Sequence, residues 1–325
     1  MELVCPAGTP SALRTAVDAG ADAVYCGFRD ETNARNFPGL NFDAGEMCEG
    51  ISYAHKHGAK VLVAINTFAR AGATDVWHRA VEAAVAAGAD ALILADLGLL
   101  AWARRAFPEQ RLHLSVQAAA ATPLAIQFYV ERFGVKRVVL PRVLTVTEIA
   151  AISAAVGCET EVFAFGGLCV MAEGRCLMSS YATGQSPNMH GVCSPAAHVQ
   201  YRQEGTELAA RLGGFVIDRY PAGRPAAYPT LCKGRFKVSG RAMHIFEDPT
   251  SLNALALLPD LQKAGVKALK IEGRQRGKAY LAATVTAFRA ALDALAAGRE
   301  PSASALAAFT EGGRETAGAY RKTWR

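Results

Sequence analysis

The sequence predicts an α/β protein, a (β/α)8 TIM-like barrel with a cysteine-bearing insertion between strands seven and eight. Short apolar runs alternate with helical patterns from the first residues, which indicates a parallel sheet with right-handed crossovers. Glycine precedes several of these runs, as expected at helix ends. Eight such units favour a closed barrel. An open doubly wound sheet is the alternative, but no G-x-G-x-x-G motif follows any strand.

The strands are predicted at short apolar or alternating stretches. In chain order these are ELVCPAG, ADAVYCG, KVLVAINTF, ADALILADL, RLHLSVQ, VKRVVLPR, CETEVFAFGG and VKALKIEGR. Most of them precede a helical pattern, such as TDVWHRAVEAAVAAG. The last two strands are separated by about a hundred residues, which is far more than a βα connection needs.

This spacing predicts four segments. Residues 1–166 hold barrel units one to seven, and residues 167–265 form the insertion. Residues 266–298 hold the final barrel unit. Residues 299–325 form a Ser-, Ala- and Gly-rich tail, which we expect to be peripheral, with a docked arm as the alternative.

Composition narrows the function classes. A hydrophobic fraction of 51% and a charged fraction of 20% are ordinary for a globular protein. The net charge of +6 permits an anionic ligand or nucleic acid without requiring either. The start lacks the pattern of a signal peptide, and no apolar run is expected to span a bilayer, so the chain is predicted to be cytoplasmic. There, eight cysteines favour metal ligation, catalysis or packing over disulfides.

The cysteines of the insertion have the spacing C-x6-C-x16-C-x38-C and are Cys169, Cys176, Cys193 and Cys232. The first follows strand seven, at the face where barrels carry their active sites. Structural zinc usually takes C-x2–4-C pairs, which are lacking here, whereas long spacers among apolar residues favour an iron–sulfur cluster. Radical chemistry with S-adenosylmethionine is not expected, because there is no C-x3-C-x2-C run. Packed thiols are the alternative, and we prefer that interpretation for Cys5, Cys26, Cys48 and Cys158.

Polar side chains at predicted strand ends are candidates for substrate binding. They are Arg142, Arg274, Arg276, Glu272, Gln117 and Asn66. The arginines could grip a dicarboxylate with paired hydrogen bonds, and the amides and carboxylate could orient a polar substrate. Alternatively, these residues cap strands or pair with one another. No residue is assigned as catalytic.

The segment EVFAFGGLCVMAEGRCLMS resembles the signature of the collagenase-like peptidases, family thirty-two of unknown catalytic type. The matching residues are Glu161, Phe163, Gly166, Cys169, Gly174, Cys176 and Ser179, whereas Gly167 replaces the usual Ser or Ala. The resemblance extends over ELVCPAG, ADAVYCGF, YPTLCKGR, PTSLNALALLPDL and KIEGRQR, and so over nearly the whole chain.

The segment IDRYPAGRPAAYPTLCKGR is most similar to a branch of this family that acts in ubiquinone biosynthesis. That similarity implies a 4Fe-4S cluster on Cys169, Cys176, Cys193 and Cys232, and oxygen-independent hydroxylation of the ubiquinone ring. It also implies a heterodimer with a homologous UbiV-like subunit. Further implied partners are ubiquinone precursors, alone or on a lipid-carrier protein, and prephenate as the oxygen donor.

Two other functions of the family are alternatives. Members that hydroxylate tRNA or rRNA nucleosides generally carry further C-terminal domains, for which this chain has little room, so nucleic acid is not the expected partner. Peptidase activity is the least favoured, because H-E-x-x-H and G-x-S-x-G are lacking. His190 near Cys193 is the one candidate for a Cys–His pair.

Overall fold

Eight parallel strands close into a barrel in the computed structural model, which describes residues 1–171, 173–187, 192–224, 226–300 and 306–321. In chain order the strands are β1 (Glu2–Pro6), β2 (Ala23–Cys26), β3 (Lys60–Ile65), β4 (Ala91–Leu94), β5 (Leu112–Leu114), β6 (Arg137–Val139), β7 (Glu159–Gly167), β8 (Val199–Glu204), β9 (Glu207–Leu212), β10 (Phe215–Pro221), β11 (Arg235–Val238), β12 (Arg241–His244), β13 (Ser251–Asn253), β14 (Ala268–Ile271) and β15 (Glu315–Thr316). β1 to β7 pair in sequence order, and β14 pairs with both β1 and β7. The predicted barrel is therefore confirmed.

Most of the helices surround this barrel, and the short helix at residues 178–183 belongs to the insertion. The helices are α1 (Pro10–Asp18), α2 (Ala44–Lys56), α3 (Asp75–Ala86), α4 (Leu97–Ala106), α5 (Pro123–Phe133), α6 (Val146–Ala155), α7 (Met178–Thr183), α8 (Leu258–Lys263) and α9 (Lys278–Ala296). Five of them begin with a side-chain N-cap, which satisfies an otherwise unpaired backbone N–H as the chain turns away from the sheet. The capping residues are Thr9, Asp43, Asp96, Thr122 and Thr145.

Charged side chains are paired inside the barrel. Glu161 is 0% exposed, and its carboxylate accepts from Lys270 Nζ at 2.7 Å and from Arg137 Nη1 at 3.3 Å. Arg137 also pairs with Glu2, and the Lys270 ammonium lies 3.7 Å from the ring centroid of Tyr25. Burial lowers the pKa of Lys270, and the nearby Glu161 carboxylate opposes this shift. The network neutralises charges that would be costly if left unpaired in the interior.

The long connection between β7 and β14 forms small sheets of its own. β8, β9 and β10 make an antiparallel sheet, and β11 and β12 make a hairpin. The chain then returns to the barrel sheet, because β13 pairs antiparallel with the end of β7. α8 follows and packs against α6 and α9.

Part of the tail is docked on the barrel. β15 pairs in parallel with β13, and the buried Tyr320 hydroxyl donates to the carbonyl of Phe163. Leu306 and Ala319 are also buried. The expectation of a peripheral tail is thus wrong for residues 306–321, because backbone pairing and apolar burial hold this segment in place.

One helix, α9, has a length and composition that were not expected of any apolar run in the sequence. Among the described residues it is the one helix that is long and apolar enough to do so. It packs against β1, α1 and α8, as the core helix of a barrel would. Its buried side chains are Tyr280, Leu281, Thr284, Val285, Phe288, Ala291 and Leu292.

We expect Glu161→Gln to lower the free energy of unfolding by about 3–5 kcal/mol, because Lys270 would lose its buried counter-charge. Urea denaturation monitored by circular dichroism measures this change. The control is Asp248→Asn, which removes an exposed pair with Arg314 and should cost about 1 kcal/mol or less. Equal losses in the two variants would contradict a special role for the buried network.

Candidate metal centre and substrate site

The loop that follows β7 crosses the barrel mouth and carries the first two cysteines of the insertion. Gly166 and Gly174 have positive φ angles of 121° and 74°. A Cβ on Gly166 would lie 2.6 Å from the carbonyl oxygen of Glu272, and a Cβ on Gly174 would lie 2.1 Å from that of Gln117. Only glycine, which lacks a Cβ, permits such close contacts with these two carbonyls. The contacts place the loop directly against the residues that follow β14 and β5.

A buried ion pair fastens the middle of this loop. Glu173 lies between Cys169 and Cys176, and its Oε1 is 2.8 Å from Nη1 of Arg142, which follows β6. Oε1 also accepts the backbone N–H of Arg142 at 3.4 Å, and the guanidinium lies 3.6 Å from the ring centroid of Phe163. Burial is the largest single influence and would lower the pKa of Arg142, but Glu173 together with the nearby Cys169 and Glu272 outweighs burial, so the pKa is raised.

The structure brings Cys169, Cys176, Cys193 and Cys232 together, since each thiol interacts electrostatically with the other three. Burial is the main cause that raises the pKa of all four, to about 12 for Cys232. Cys193 is exposed as a residue, yet protein atoms crowd its sulfur enough to raise the pKa. Backbone N–H groups of Met178 and Ser179 act in the opposite direction on Cys176.

The four thiols are neighbours, but they are not arranged around one ion. Within the described ranges, no three His, Cys, Asp or Glu side chains are grouped as ligands of a single metal. The assignment of these cysteines as ligands therefore stays a prediction, although their convergence from distant positions is a finding.

The remaining cysteines differ in their surroundings. All eight are unbridged thiols. Cys5 and Cys26 are buried in the barrel, and the Sγ of Cys26 lies 3.6 Å from the Sδ of Met47. Cys158 is half-buried, whereas Cys48 is exposed on α2. The interpretation as a packed thiol is therefore wrong for Cys48, whose side chain projects from the outer face of a helix.

The two buried arginines of the candidate substrate site have different partners. The charge of Arg142 is engaged by Glu173. Arg274 donates from Nη1 to Asn33 Oδ1 at 2.7 Å, and within the described part of the chain it has no carboxylate partner. Burial lowers its pKa to about 10. The Glu272 carboxylate is near enough to raise this pKa partly, but no ion pair to Arg274 is formed among the described residues. A buried cation without a paired carboxylate is suited to an anionic ligand.

The side chains of most other candidate substrate-binding residues form hydrogen bonds or an ion pair within the protein. Glu272 Oε2 accepts the backbone N–H of Gly167 at 3.2 Å, and the exposed Arg276 lies 3.5 Å from Glu311. Asn66 accepts from the backbone N–H of Ala34 at 3.0 Å and donates to Ser115 Oγ at 3.2 Å. Gln117 is the exception, because its buried Oε1 has no partner in the part of the chain that the structure describes.

Sequence reasoning misses Glu173 and Asn33. A carboxylate between two predicted ligands in an otherwise apolar segment is a signal that would have found Glu173. Nothing local marks Asn33, because it meets Arg274 only through closure of the barrel. His190 lies outside the described residues.

The fold and the site define a β/α barrel whose mouth is covered by a four-cysteine insertion. The chain belongs to peptidase family U32, whose family model matches residues 8–320. The resemblance to the collagenase-like peptidases is thereby confirmed.

Three relatives of the chain are named for different functions. The chain is 36% identical to the tRNA hydroxylation protein P of Escherichia coli K12, over 92% of this chain and 69% of that protein. It is 30% identical to a 23S rRNA 5-hydroxycytidine synthase of Escherichia coli K12, over 96% of this chain and 42% of that protein. It is 25% identical to a collagenase of Porphyromonas gingivalis, over 90% of this chain and 66% of that protein.

We expect Glu173→Gln to lower the free energy of unfolding by about 3–5 kcal/mol, because it leaves the buried Arg142 without a counter-charge. It should also loosen the loop, so that iodoacetamide alkylates Cys169 faster in the metal-free protein. Peptide mass spectrometry measures the rate at each cysteine. Glu204→Gln, which alters the exposed pair with Arg219, is the control. Unchanged alkylation of Cys169 in Glu173→Gln would show that the pair does not hold the loop.

Proposed function

We propose that this chain is a hydroxylase of tRNA or rRNA nucleosides that works without O2 and carries a 4Fe-4S cluster on Cys169, Cys176, Cys193 and Cys232. The observation that carries the proposal is the 36% identity to a tRNA hydroxylation protein over 92% of the chain. The similarity to an rRNA hydroxycytidine synthase supports the same chemistry. We place this activity in the cytoplasm, where thiol ligands stay reduced.

The arrangement of the thiols suits a cluster better than zinc. A tetrahedral zinc ion with Zn–S bonds of about 2.3 Å requires four sulfurs packed around one point. The four thiols interact electrostatically without forming such a group. A 4Fe-4S cluster separates its cysteines, because each one binds a different iron atom. The N–H groups directed at the Cys176 sulfur are typical of cluster-binding loops.

In this proposal the protein positions the groups around the thiols. When bound, the cluster supplies one-electron redox chemistry. Arg142 and Glu173 hold the loop, and the buried Leu168 and Val192 exclude water from it. Arg274 binds the anionic end of the oxygen donor, and prephenate, which the family resemblance implies, has the carboxylates this requires.

The surface of the insertion supports RNA as the substrate. Residues 168–250 contain nine Lys and Arg against six Asp and Glu. Most of the exposed large apolar side chains of the described chain also lie in this segment. The aromatic ones are Tyr181, Tyr201, Phe215, Tyr228 and Phe246. Exposed aromatic rings among basic side chains favour stacking on unpaired bases next to a phosphate backbone.

Hydroxylation of the ubiquinone ring is the second candidate. It is favoured by the segment 217–235, which resembles the ubiquinone biosynthesis protein UbiU. The exposed apolar side chains of the insertion would then contact a UbiV-like subunit. We rank this candidate below RNA hydroxylation, because most of the relatives at 30–36% identity are named for the hydroxylation of tRNA or rRNA, although one at 32% is named as an uncharacterized protease.

Peptidase activity lacks support from the geometry. The hydroxyls of Ser179 and Ser194 in the insertion donate to the carbonyls of Cys193 and Pro229. Hydroxyls bonded in this way are not activated by a base. The family name alone therefore does not favour proteolysis.

Anaerobically purified protein should contain near-stoichiometric iron and sulfide. We expect Ala in place of Cys169, Cys176, Cys193 or Cys232 to abolish this content and the broad visible absorption, because one iron atom would lose its thiolate ligand and the cluster would not be held. Cys48→Ala is the control and should keep both, since Cys48 is exposed on α2. Tight zinc without sulfide would contradict the cluster.

Deletion of the gene should distinguish the two candidates. We expect the deleted strain, grown without oxygen, to lose a hydroxylated tRNA or rRNA nucleoside and to keep its ubiquinone. Nucleoside mass spectrometry and quinone chromatography measure the two products. Complementation with Cys169→Ala should fail, whereas Cys48→Ala should restore the nucleoside. Loss of anaerobic ubiquinone with all nucleosides intact would select the ubiquinone candidate instead.

A further inference from the structure

A cavity of about 440 Å³ lies at the barrel mouth beside the thiol loop. We refer to it as the Gln117 cavity. Phe68 after β3, Asp96 after β4 and Gln117 after β5 line it, together with Tyr129 of α5. Gly174 and Arg175 of the insertion complete its wall. Its volume is in the range of ligand pockets in proteins, and its position at the carboxyl ends of barrel strands is where ligands bind in this fold.

We propose that the Gln117 cavity binds the base of the nucleoside to be modified, after that base has left the stack of a single-stranded RNA segment. This inference rests on the proposed RNA hydroxylation and goes further, because it assigns the base to particular side chains.

The amide of Gln117 is the central observation. Gln117 is 9% exposed as a residue, and its Oε1 is buried from water and has no hydrogen-bond partner among the described residues. An unsatisfied buried polar atom costs about 1–3 kcal/mol, so a ligand that bonds to it gains binding energy. Nucleobase edges present donors and acceptors side by side, which a glutamine amide can match in either orientation.

The position of Gln117 is set without any ligand. Its backbone N–H donates to Ser115 Oγ at 3.2 Å, and the same oxygen accepts from Asn66 Nδ2 at 3.2 Å. Asn66 is itself fixed by the backbone N–H of Ala34. Ala119, two residues later, has a φ of 51°, which is unfavourable for a residue with a Cβ. The strand end thus fixes the backbone from which the Gln117 amide projects, which limits the positions that the amide can take.

The other walls suit a flat ring attached to a phosphate backbone. Phe68 and Tyr129 provide aromatic surface for stacking. Arg175 is exposed. It lies near Tyr129, whose phenol pKa is raised by burial and partly lowered again by the positive charge of Arg175. The carboxylate of Asp96 is already bonded within the protein, because it accepts from Leu99 N at 2.8 Å and from Ala69 N at 3.4 Å. The cavity therefore presents an amide, two rings and a cation.

The same wall connects the cavity to the thiols. The backbone of Gly174 lies against the carbonyl of Gln117, and Cys176 follows Arg175 directly. A ring bound at Gln117 thus lies beside the loop that carries two of the four cysteines. The ring of a quinone precursor could enter the same space, but the exposed cation at the rim favours a ligand with phosphate.

The test uses the cluster-loaded full chain and two fluorescein-labelled RNA ten-mers. One contains only cytidine and uridine, and the other is the same sugar–phosphate backbone without bases. We expect Gln117→Leu to weaken binding of the pyrimidine RNA about tenfold and to leave binding of the abasic RNA unchanged, because only the base contact is lost. Phe68→Ala should act in the same way through lost stacking. Gln262→Leu, at an exposed position of α8, is the matched control.

Iron and sulfide content and hydroxylated nucleosides in complemented cells are measured for each variant. We expect both cavity variants to keep the cluster and lose the nucleoside. If the wild type binds RNA and forms the nucleoside while both variants match it, the cavity does not hold the base and the inference is wrong. Equal weakening on pyrimidine and abasic RNA would likewise overturn it. If the wild type itself neither binds RNA nor forms the nucleoside, the proposed function fails instead.

Discussion

The buried ion pair between Arg142 and Glu173 determines where the insertion begins its path over the barrel. Glu173 lies in the loop between two of the four cysteines, and Arg142 follows β6, so the pair ties a thiol-bearing loop to the barrel rim. Both side chains are less than 10% exposed, and each depends on the other because a single buried charge is far more costly than a pair. The stacking of the guanidinium on Phe163 fixes its plane as well.

Close backbone contact complements this pair. Gly166 and Gly174 let the loop lie directly on the carbonyls of Glu272 and Gln117, where any side chain would collide. The later turns of the insertion then bring Cys193 and Cys232 to the same place. Four thiols spread over sixty-four residues of sequence thereby become neighbours at the end of the barrel where strand-end side chains also converge.

The insertion combines two properties that the proposed reaction needs together. It brings together four thiols whose pKa values are raised by burial of their sulfurs, which suits a redox group. Its outer side is basic and rich in exposed aromatic rings, which suits single-stranded RNA. Short basic motifs in the sequence did not distinguish RNA from solvent as the neighbour of this segment, since they do not reveal which aromatic side chains remain uncovered after folding.

The sequence by itself determined the barrel, the place of the insertion and the set of cysteines within it, because alternating local patterns and residue types are properties of short segments. It could not determine that Glu173 forms an ion pair with Arg142 while Arg274 forms none among the described residues, or that Cys48 is exposed. It also could not show that the amides of Asn66 and Gln117 differ, the first being fully bonded and the second unpaired. These outcomes depend on which side chains meet across separate βα units, such as Arg274 and Asn33 at opposite ends of the chain, and only closure of the barrel decides that.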